Sequence, residues 1–534
     1  MPVWRAIPES KMTRVRLPEG RQFAVTWSIP DEFGGMTDSM LRRSVAFSRF
    51  GGVDVDVLTF DARPDTGRLE QALRDGGALA DGVHVLNLYD WLREHPLPGG
   101  SLQLDRDEFT PLTDADATEP RRRGDLVMSR ARVDDDARVL QVDHYRDDGT
   151  LLLSDRRDTR RRGVLGGRSV VLCDAAGRPV RSWRRIWPLY TAWLDALTDG
   201  RPSFMIVDSK TIARFMLTYR RPHVITAHVV HGSHRAAADE GHPIRRSRRE
   251  VFEHIDDFDL IAVLSKRQAD EIEQLVGRHD NVVVVPNSRG PLTASGPAAA
   301  SRMSPPRRDP DRLVMLAALT PRKRVSHAID AVQRASARLG RPLRLDVYGD
   351  GESRDALERL IDGSAAVRLH GYDPDARRQL VEASFLPLTS RSEGFPLVLI
   401  ESMAAGCLPI AYDVAYGPAD LIRDGRNGFL APAGDVEALA AAIVRARSMP
   451  PRRLAQLRRR AVRSARRFDD ERVTLLWARQ LRRAAARRRL SHARRFRALR
   501  AAAARMPMAP RLRSLAVTVA AGLDRLRRPT RRLG

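Results

Sequence analysis

The sequence predicts an α/β protein of two doubly wound parallel lobes that face a cleft. In residues 20–100, 191–290 and 313–463, short apolar runs alternate with helical patterns, which is typical of parallel sheets covered by helices. Between residues 101 and 190 strand-like runs are instead separated by turn residues. We therefore expect a β-rich insertion in the first lobe, and ligands at the carboxyl ends of the parallel strands.

The N-terminal lobe is expected to begin with a strand, a glycine-containing loop, a helix and a second strand. These elements are Phe23–Trp27, Ser28–Gly35, Met36–Phe50 and Val53–Phe60. Gly35 would let the backbone approach a ligand closely, since glycine has no Cβ. After the insertion the lobe resumes with strands at Ser203–Asp208, His223–Val230, Leu260–Leu264 and Asn281–Val285.

The insertion, residues 101–190, is expected to form an antiparallel sheet. Its predicted strands are Val139–Tyr145, Leu151–Leu153, Ser169–Cys173 and Pro179–Trp183. Asp147-Asp148-Gly149 and Ala176-Gly177 mark turns between some of them.

The C-terminal half of the chain divides into four parts. Residues 291–312 are rich in Pro, Ser, Ala and Arg and indicate a linker between the lobes. The second lobe, residues 313–463, has predicted strands at Leu313–Leu316, Leu343–Gly349, Val367–Leu369 and Leu408–Tyr412. Residues 464–484 are expected to complete the fold as a helix, and residues 485–534 form a basic tail.

Composition excludes several classes of protein. Two cysteines far apart in sequence, Cys173 and Cys407, argue for a reducing compartment and against a disulfide framework or a zinc cluster. No apolar run reaches membrane-spanning length, and residues 1–20 lack the apolar core of a signal peptide. We therefore expect a cytoplasmic protein.

The charge is strongly basic and unevenly distributed. The formal net charge is +25, from 92 Lys and Arg against 67 Asp and Glu, and residues 481–534 alone hold 17 Arg and one acid. The tail has apolar residues among its arginines, as in helices that attract anionic lipid. The alternatives are that the tail binds an anionic polymer acceptor, that it binds nucleic acid, or that it is a partly disordered, solvated segment.

The segment 389–422 carries most of the functional information. Its acids Glu393 and Glu401 bracket an apolar helix, for which we predict Pro396 at the first helical position and Gly406 as the left-handed residue at the end. The free N–H groups of residues 394–398 would favour an anion. Glu401 would lie about 12 Å along the helix from Glu393. This span suits a ligand with a sugar at one end, a ribose at the other and phosphates between.

The same segment carries a family resemblance. Glu393-Gly-Phe-Pro-Leu-Val-Leu-Ile-Glu401-Ser-Met-Ala-Ala-Gly406 resembles the nucleotide-sugar signature of retaining GT-B glycosyltransferases of the glycogen-synthase-like type. Asp413-Val-Ala-Tyr-Gly-Pro418 resembles the subgroup of poly(glycerol-phosphate) α-glucosyltransferases, teichoic-acid α-N-acetylglucosaminyltransferases and adhesin glycosyltransferases. The resemblance implies two Rossmann-like lobes, an insertion used for assembly or acceptor contact, and a last helix that crosses back to the first lobe.

The resemblance also implies a donor site in the second lobe. Lys323, one of four lysines, would pair the diphosphate and follow charge on the leaving oxygen. Glu393 would hold a hydroxyl of the transferred sugar, and Glu401 would accept hydrogen bonds from the ribose. The complete set of implied nucleotide-sugar-binding residues is Gly35, Arg322, Arg324, His370, Gly371, Gly394, Phe395, Pro396, Leu397 and Glu401.

The sequence departs from the family pattern at Ala318, where an arginine usually shares the work of Lys323. Either Arg322 or Arg324 substitutes for it, or phosphate binding is weakened.

Three histidines, His228, His231 and His234, lie at the end of a predicted strand of the first lobe. On a strand these spacings do not converge on one side, which argues against a metal site. The resemblance places a functional histidine here, and His231 fits best; a buried structural role is the alternative for each. No metal and no other cofactor are expected, because UDP is a good leaving group once its charge is neutralised.

These observations predict an enzyme that transfers glucose or N-acetylglucosamine from a UDP-sugar to a hydroxyl with retention of configuration. The acceptor could be a polyol-phosphate cell-wall polymer, a protein serine or a small glycoside. Because acceptors of this family are made at the inner leaflet, we favour peripheral membrane contact for the tail and expect no nucleic acid. The sequence leaves open whether the protein forms a homo-oligomer. The alternatives are a catalytically weak partner subunit of the same fold, and a basic protein that binds membranes or anionic polymers.

Overall fold

The structure is a computed structural model that describes residues 15–505 with gaps at 98–99, 105–108, 114, 116–119, 236–242, 291–307, 362 and 365. Side chains are described as far as Ser491. The predicted linker therefore falls largely outside the described residues, as do residues 506–534 of the predicted tail.

In the described chain the strands alternate with helices except in the stretch from β4 to β9 and between β13 and β14. In chain order the strands are β1 (Arg21–Val25), β2 (Val55–Thr59), β3 (Val83–Asn87), β4 (Arg121–Arg123), β5 (Leu126–Val133), β6 (Val139–Tyr145), β7 (Leu151–Arg156), β8 (Ser169–Cys173), β9 (Pro179–Trp183), β10 (Ser203–Val207), β11 (Val224–Val230), β12 (Leu260–Val263), β13 (Val282–Val284), β14 (Asp309–Leu316), β15 (Arg344–Tyr348), β16 (Val367–Leu369), β17 (Ala383–Leu388), β18 (Leu408–Asp413) and β19 (Phe429–Pro432).

The α-helices cover the two parallel sheets. In chain order they are α1 (Gly35–Ala46), α2 (Thr66–Asp75), α3 (Leu88–Glu94), α4 (Trp187–Thr198), α5 (Lys210–Thr218), α6 (Arg246–Glu253), α7 (Lys266–Val276), α8 (Val325–Leu339), α9 (Arg354–Ile361), α10 (Leu397–Ala405), α11 (Pro418–Leu421), α12 (Val436–Arg447), α13 (Pro451–Ala465) and α14 (Asp470–Arg505). None of those in the described chain is long and apolar enough to cross a membrane.

The two lobes are built on separate parallel sheets. The first has the strand order β13-β12-β11-β10-β1-β2-β3, and the second β16-β15-β14-β17-β18-β19. In both sheets the order reverses next to the first strand, which creates the crevice where such folds bind ligands. The predicted fold class of two doubly wound lobes is thereby confirmed.

A third sheet, β4 to β9 in sequential order, is antiparallel and is inserted between β3 and β10. The sequence predicted β6 to β9 but not β4 or β5. In Leu126–Val133 the apolar residues are interrupted by serine and arginine, and Arg121–Arg123 is wholly basic, so neither segment has the long apolar run of a central strand.

Strand β1 shows why both faces of the first sheet are buried. Phe23 and Val25 pack into the cluster that contains Trp193 of α4, whereas Ala24, pointing the other way, joins the cluster that contains Met40 of α1. Successive side chains of a strand point to opposite faces, so a strand covered on both sides is apolar throughout.

The last helix, α14, packs on the first lobe. Arg42 of α1 makes a bidentate ion pair with Asp470 at 2.8 and 2.7 Å, and Trp477 contacts the edge of the Phe47 ring. The helix continues without a break to Arg505, so the position at which we expected the tail to begin, residue 485, is not a helix end.

Candidate active site

Helix α10 begins one residue later than predicted. Pro396 is the N-cap in an extended conformation, with φ −76° and ψ 92°, and Leu397 is the first helical residue. The prediction of Pro396 at the first helical position is therefore wrong. Gly406 ends the helix with φ 75°, as expected, and its N–H donates to the Met403 carbonyl at 3.0 Å.

The loop before α10 contacts the first lobe through Gly394. A Cβ on this residue would lie 1.9 Å from the His231 carbonyl oxygen and 3.0 Å from the Gly232 Cα. Leu397 in turn lies 3.7 Å from the position of a Cβ on Gly35, the first residue of α1. Two helices, one from each lobe, therefore begin beside each other at this point. Their free N–H groups make it a favourable place for an anion.

Lys323 and Glu393 form an ion pair at the start of this helix. The Lys323 Nζ donates to Glu393 Oε1 at 2.6 Å, and Arg322 Nη1 lies 3.7 Å from the same oxygen. The Thr389 hydroxyl donates to the carbonyls of Lys323 and Arg324 at 2.9 and 2.8 Å, which fixes the loop that carries both cations. The structure thus brings together the predicted sugar-binding acid and the predicted phosphate-binding lysine.

The side chains of Arg324, in the loop before α8, and Phe395, in the loop before α10, pack against other parts of the structure. Arg324 has φ 47° at the N-cap of α8, and its Nη1 lies 3.3 Å from where a Cβ on Gly434 would sit. Phe395 is buried against the edge of Phe468, with ring centroids 5.6 Å apart. In this structure the Phe395 ring is therefore part of the core packing.

Ala318 lies in a segment that packs against a glycine turn. A Cβ on Gly349 would be 1.9 Å from the Ala317 carbonyl oxygen, and one on Gly351 would be 2.6 Å from the Leu319 carbonyl oxygen. Both glycines have φ above 140°, a conformation open to glycine alone. The two backbones therefore run together at the carboxyl ends of β14 and β15.

His370 and Gly371 follow β16 beside this turn. The His370 ring stacks on Tyr348 at 4.4 Å, its Nε2 lies 2.9 Å from Asp346 Oδ1, and the Gly371 carbonyl accepts from the Gly349 N–H at 2.8 Å. Burial alone raises the pKa of Asp346, but hydrogen bonds from His370 and Arg312 outweigh it and lower the pKa. The His370 side chain is thus held by Tyr348 and Asp346, and its backbone N–H donates to the Val347 carbonyl at 2.9 Å.

Glu401 is engaged by two arginines. Its Oε1 accepts from Arg289 Nε at 2.6 Å and lies 3.0 Å from Arg377 Nε. The side chains of Glu401 and Arg289 are only 7% and 6% exposed, and Arg289 Nη1 also contacts Asp38 Oδ2 of α1 at 2.5 Å. Burial lowers the pKa of Arg289, but the two carboxylates outweigh it and raise the pKa. Arg289 therefore links the lobes through the predicted ribose-binding acid.

His231 is held by a buried carboxylate. Its Nε2 lies 2.7 Å from Asp208 Oδ1, and both Asp208 oxygens accept from Arg43 of α1 at 2.9 and 2.6 Å. Burial raises the pKa of Asp208, but the Arg43 charge and the two hydrogen bonds outweigh it and lower the pKa to about 2. The buried Nδ1 of His231 has no hydrogen-bond partner among the described residues.

The other two histidines turn to different partners. His228 Nδ1 lies 2.9 Å from the Val207 carbonyl and its ring stacks on Phe258; burial lowers its pKa to about 3. His234 stacks on Tyr416 at 5.6 Å, and burial lowers its pKa to about 4. Both rings are therefore neutral at pH 7.

Sequence reasoning did not find Asp208, Arg43 or Arg289. Asp208 was included only as the last residue of a predicted strand, where a carboxylate after an apolar run is a usable signal. Arg289 follows Pro286-Asn287-Ser288 at the end of the last strand of the first lobe. In a chain with so many arginines this position carried no signal of its own.

Comparison with known proteins agrees with this architecture. Residues 310–448 match the family Glycosyl transferases group 1. The "Exopolysaccharide phosphotransferase SCO2592" of Streptomyces coelicolor is 31% identical over 49% of this chain and 27% of its own length. The "Poly(ribitol-phosphate) alpha-N-acetylglucosaminyltransferase" of Staphylococcus aureus is 20% identical over 74% of this chain and 86% of its own length. The chain spans 27% to 40% of the length of the phosphotransferase and two further curated relatives.

Among solved structures, a mutant of S. aureus TarM, crystallised in complex with fondaparinux, alpha-GlcNAc-glycerol and UDP, has the same fold. The TM-score is 0.70 at 18% identity, over 87% of this chain and 100% of that chain. The chain thus has the two-lobed GT-B fold, and its residues 310–448 form a domain of the Glycosyl transferases group 1 family.

Proposed function

We propose that this protein is a retaining glycosyltransferase that moves glucose or N-acetylglucosamine from a UDP-sugar to a hydroxyl of a polyol-phosphate polymer or related glycoconjugate. The observation that carries the proposal is the Lys323–Glu393 ion pair, 2.6 Å long, beside the N-terminus of α10. A cation, an acid and free helix N–H groups then face the same crevice, as a charged diphosphate and a neutral sugar require.

In this proposal the donor lies along α10 from Glu393 to Glu401. The bond between the anomeric carbon and the phosphate oxygen breaks, and its electron pair leaves with UDP. Lys323 and the helix N–H groups stabilise the charge that develops on that oxygen. The acceptor hydroxyl forms the new bond to the anomeric carbon, and its proton passes to the departing UDP oxygen, which holds the electron pair of the broken bond. Glu393 shares its carboxylate between Lys323 and a hydroxyl of the transferred sugar.

His231 contributes from the first lobe. Because Asp208 holds the ring through Nε2, the buried Nδ1, which has no partner in the described chain, is the ring atom left to bond a sugar hydroxyl when the donor enters the cleft. Arg289 shares Glu401 with the ribose, so binding of the nucleotide is coupled to the contact between the lobes. Arg322, 3.7 Å from Glu393, is the better placed substitute for the arginine missing at Ala318.

The proposed class of acceptor is based on the similarity of this chain to known proteins. A poly(ribitol-phosphate) transferase matches 74% of this chain, and the TarM complex contains alpha-GlcNAc-glycerol. We accordingly propose a cytoplasmic enzyme that works at the inner face of a membrane. The membrane contact of residues 485–534 stays a prediction from sequence, because most of that segment lies outside the described residues.

UDP release by the purified full chain tests the proposal. We expect release from UDP-glucose or UDP-N-acetylglucosamine that poly(glycerol phosphate) accelerates. Lys323→Ala should lower kcat roughly a hundredfold or more, as loss of one charge-stabilising donor does in other enzymes. Arg334→Ala, which removes an exposed cation paired with Asp330 on α8, is the control and should be fully active.

Two outcomes would overturn the proposal. Release of UDP from neither donor, with donor binding retained in a thermal-shift assay, would indicate the catalytically weak partner subunit. Equal rates for wild type and Lys323→Ala would remove the role of the ion pair.

A further inference from the structure

Arg248 of α6 is a charged side chain for which the described residues provide no partner. It is only partly exposed, and within the described chain it makes no ion pair and no side-chain hydrogen bond. Burial, followed by the neighbouring Arg245 charge, lowers its pKa to about 10, so that it is still a cation at pH 7. Buried charges are normally paired, because an unpaired one loses hydration without compensation.

The other enclosed arginines of the cleft show the contrast. Arg43 has both oxygens of Asp208, and Arg289 has Asp38 and Glu401. Arg248 is half-buried, and no carboxylate of the described residues pairs with it.

An acid of the same region, Glu271, is already occupied. Glu271, which acts on the pKa of neighbouring His234, accepts from Arg235 Nε at 2.8 Å and from the Tyr416 hydroxyl. It is therefore committed to two other donors. His234 adds to the unsatisfied polarity of this region, since its Nε2 is buried without a hydrogen-bond partner in the described chain.

Arg248 lies on the first-lobe side of the cleft. Its Nη2 is 3.7 Å from the position of a Cβ on Gly232, and the Gly232 Cα is 3.0 Å from the position of a Cβ on Gly394. One residue thus separates the guanidinium from the loop that precedes α10. Lys323 reaches the same region from the second lobe, through its contact with Glu393.

We propose that Arg248 binds a phosphate group of the acceptor and so places the adjacent hydroxyl for transfer. This inference rests on the proposed function. A planar guanidinium matches two phosphate oxygens, and the donor diphosphate already has Lys323 and the start of α10 in the other lobe. In a polyol phosphate each hydroxyl lies a few bonds from a phosphate, so anchoring the phosphate orients the hydroxyl.

Acceptor kinetics test this assignment. With the full chain, Arg248→Gln should raise the KM for poly(glycerol phosphate) and for glycerol 3-phosphate roughly tenfold to a hundredfold, as loss of a charged hydrogen bond does. The rate with glycerol and the KM for the UDP-sugar should not change. Arg248→Lys should restore part of the loss. Arg201→Gln is the matched control, because it breaks an exposed ion pair with Asp199 at the amino ends of the strands.

Stability separates a ligand role from a structural one. Because Arg248 has no carboxylate partner in the described chain, Arg248→Gln should keep or raise the Tm, whereas a structural arginine would lower it. Without donor, poly(glycerol phosphate) should raise the Tm of wild type and of Arg201→Gln but not of Arg248→Gln. This binding result is obtained even if no UDP is released, so the failure of the proposed function and the failure of this inference are distinguishable.

Three results would overturn the inference. The first is an equal Tm shift by the polymer in wild type and Arg248→Gln. The second is a raised KM for the UDP-sugar with unchanged acceptor kinetics, which would assign Arg248 to the donor diphosphate. The third is a Tm of Arg248→Gln several degrees below that of wild type.

Discussion

Replacing Asp208 by Asn separates the structural and functional roles of the buried triad Arg43–Asp208–His231. The substitution keeps the shape of the side chain but removes its charge. Arg43, with a side chain 8% exposed, would then be a buried cation without a counter-charge. Breaking a buried pair from one side costs about 3–5 kcal/mol. For a domain of about 150–250 residues, this loss of unfolding free energy corresponds to a fall in Tm of roughly 10 °C.

The lowered pKa of Asp208 expresses the same interaction as a dependence of stability on pH. It is about 2 in the fold against an ordinary value of 3.8, and this difference corresponds to about 2–3 kcal/mol. Because the folded pKa is the lower one, this stability is fully present above about pH 4 and is lost as the pH falls from about 4 to 2. Asp208→Asn should therefore show a shallower loss of stability in that range.

The assay is chemical or thermal unfolding of the purified chain, combined with UDP release. Asp208→Asn should lower kcat at least about tenfold, because the His231 ring loses the carboxylate that orients it. In the double variant Arg43→Met/Asp208→Asn, no charge is left unpaired, so most of the stability should return while the activity stays low.

A second ion pair on α1 provides the control. Arg42→Met breaks the more exposed pair with Asp470 on the same helix and should cost less stability. A Tm of Asp208→Asn that is equal to that of wild type, or full activity in the double variant, would refute the reasoning.

Two further predictions concern the contact between the lobes. Gly394→Ala would place a Cβ 1.9 Å from the His231 carbonyl oxygen, so the lobes must separate. We therefore expect kcat/KM to fall at least about tenfold. The control Gly67→Ala has open space around its Cβ position and should be neutral. Arg289→Met leaves Asp38 and the buried Glu401 short of a cation, and unfolding in urea should show a loss of about 3 kcal/mol, with a raised KM for the donor. Arg377→Met, which breaks the half-exposed pair to Glu401, should cost under about 1 kcal/mol; equal losses for the two arginines would contradict this view.

Local patterns were enough to predict the fold class and the donor helix. The alternation of strands and helices depends on periodicity within a few residues, and Gly406 ends α10 because a left-handed residue is needed there. The start of the helix was misplaced by one residue, because a proline suits either the N-cap or the first turn. Strands β4 and β5 were missed because arginine occupies positions that apolar residues fill in a central strand.

By itself the sequence determined the two-lobed α/β architecture, the antiparallel insertion and the placement of Glu393 and Glu401 at the two ends of one helical segment. Only the tertiary structure decided which charges meet. Arg43 and Asp208 are 165 residues apart, and Arg289 and Glu401 are 112 apart. Their pairing depends on the order of the strands and the seating of one lobe on the other. That Arg248 finds no partner among the described residues is equally a property of the assembled cleft, since solvation and counter-charges are set by distant parts of the chain.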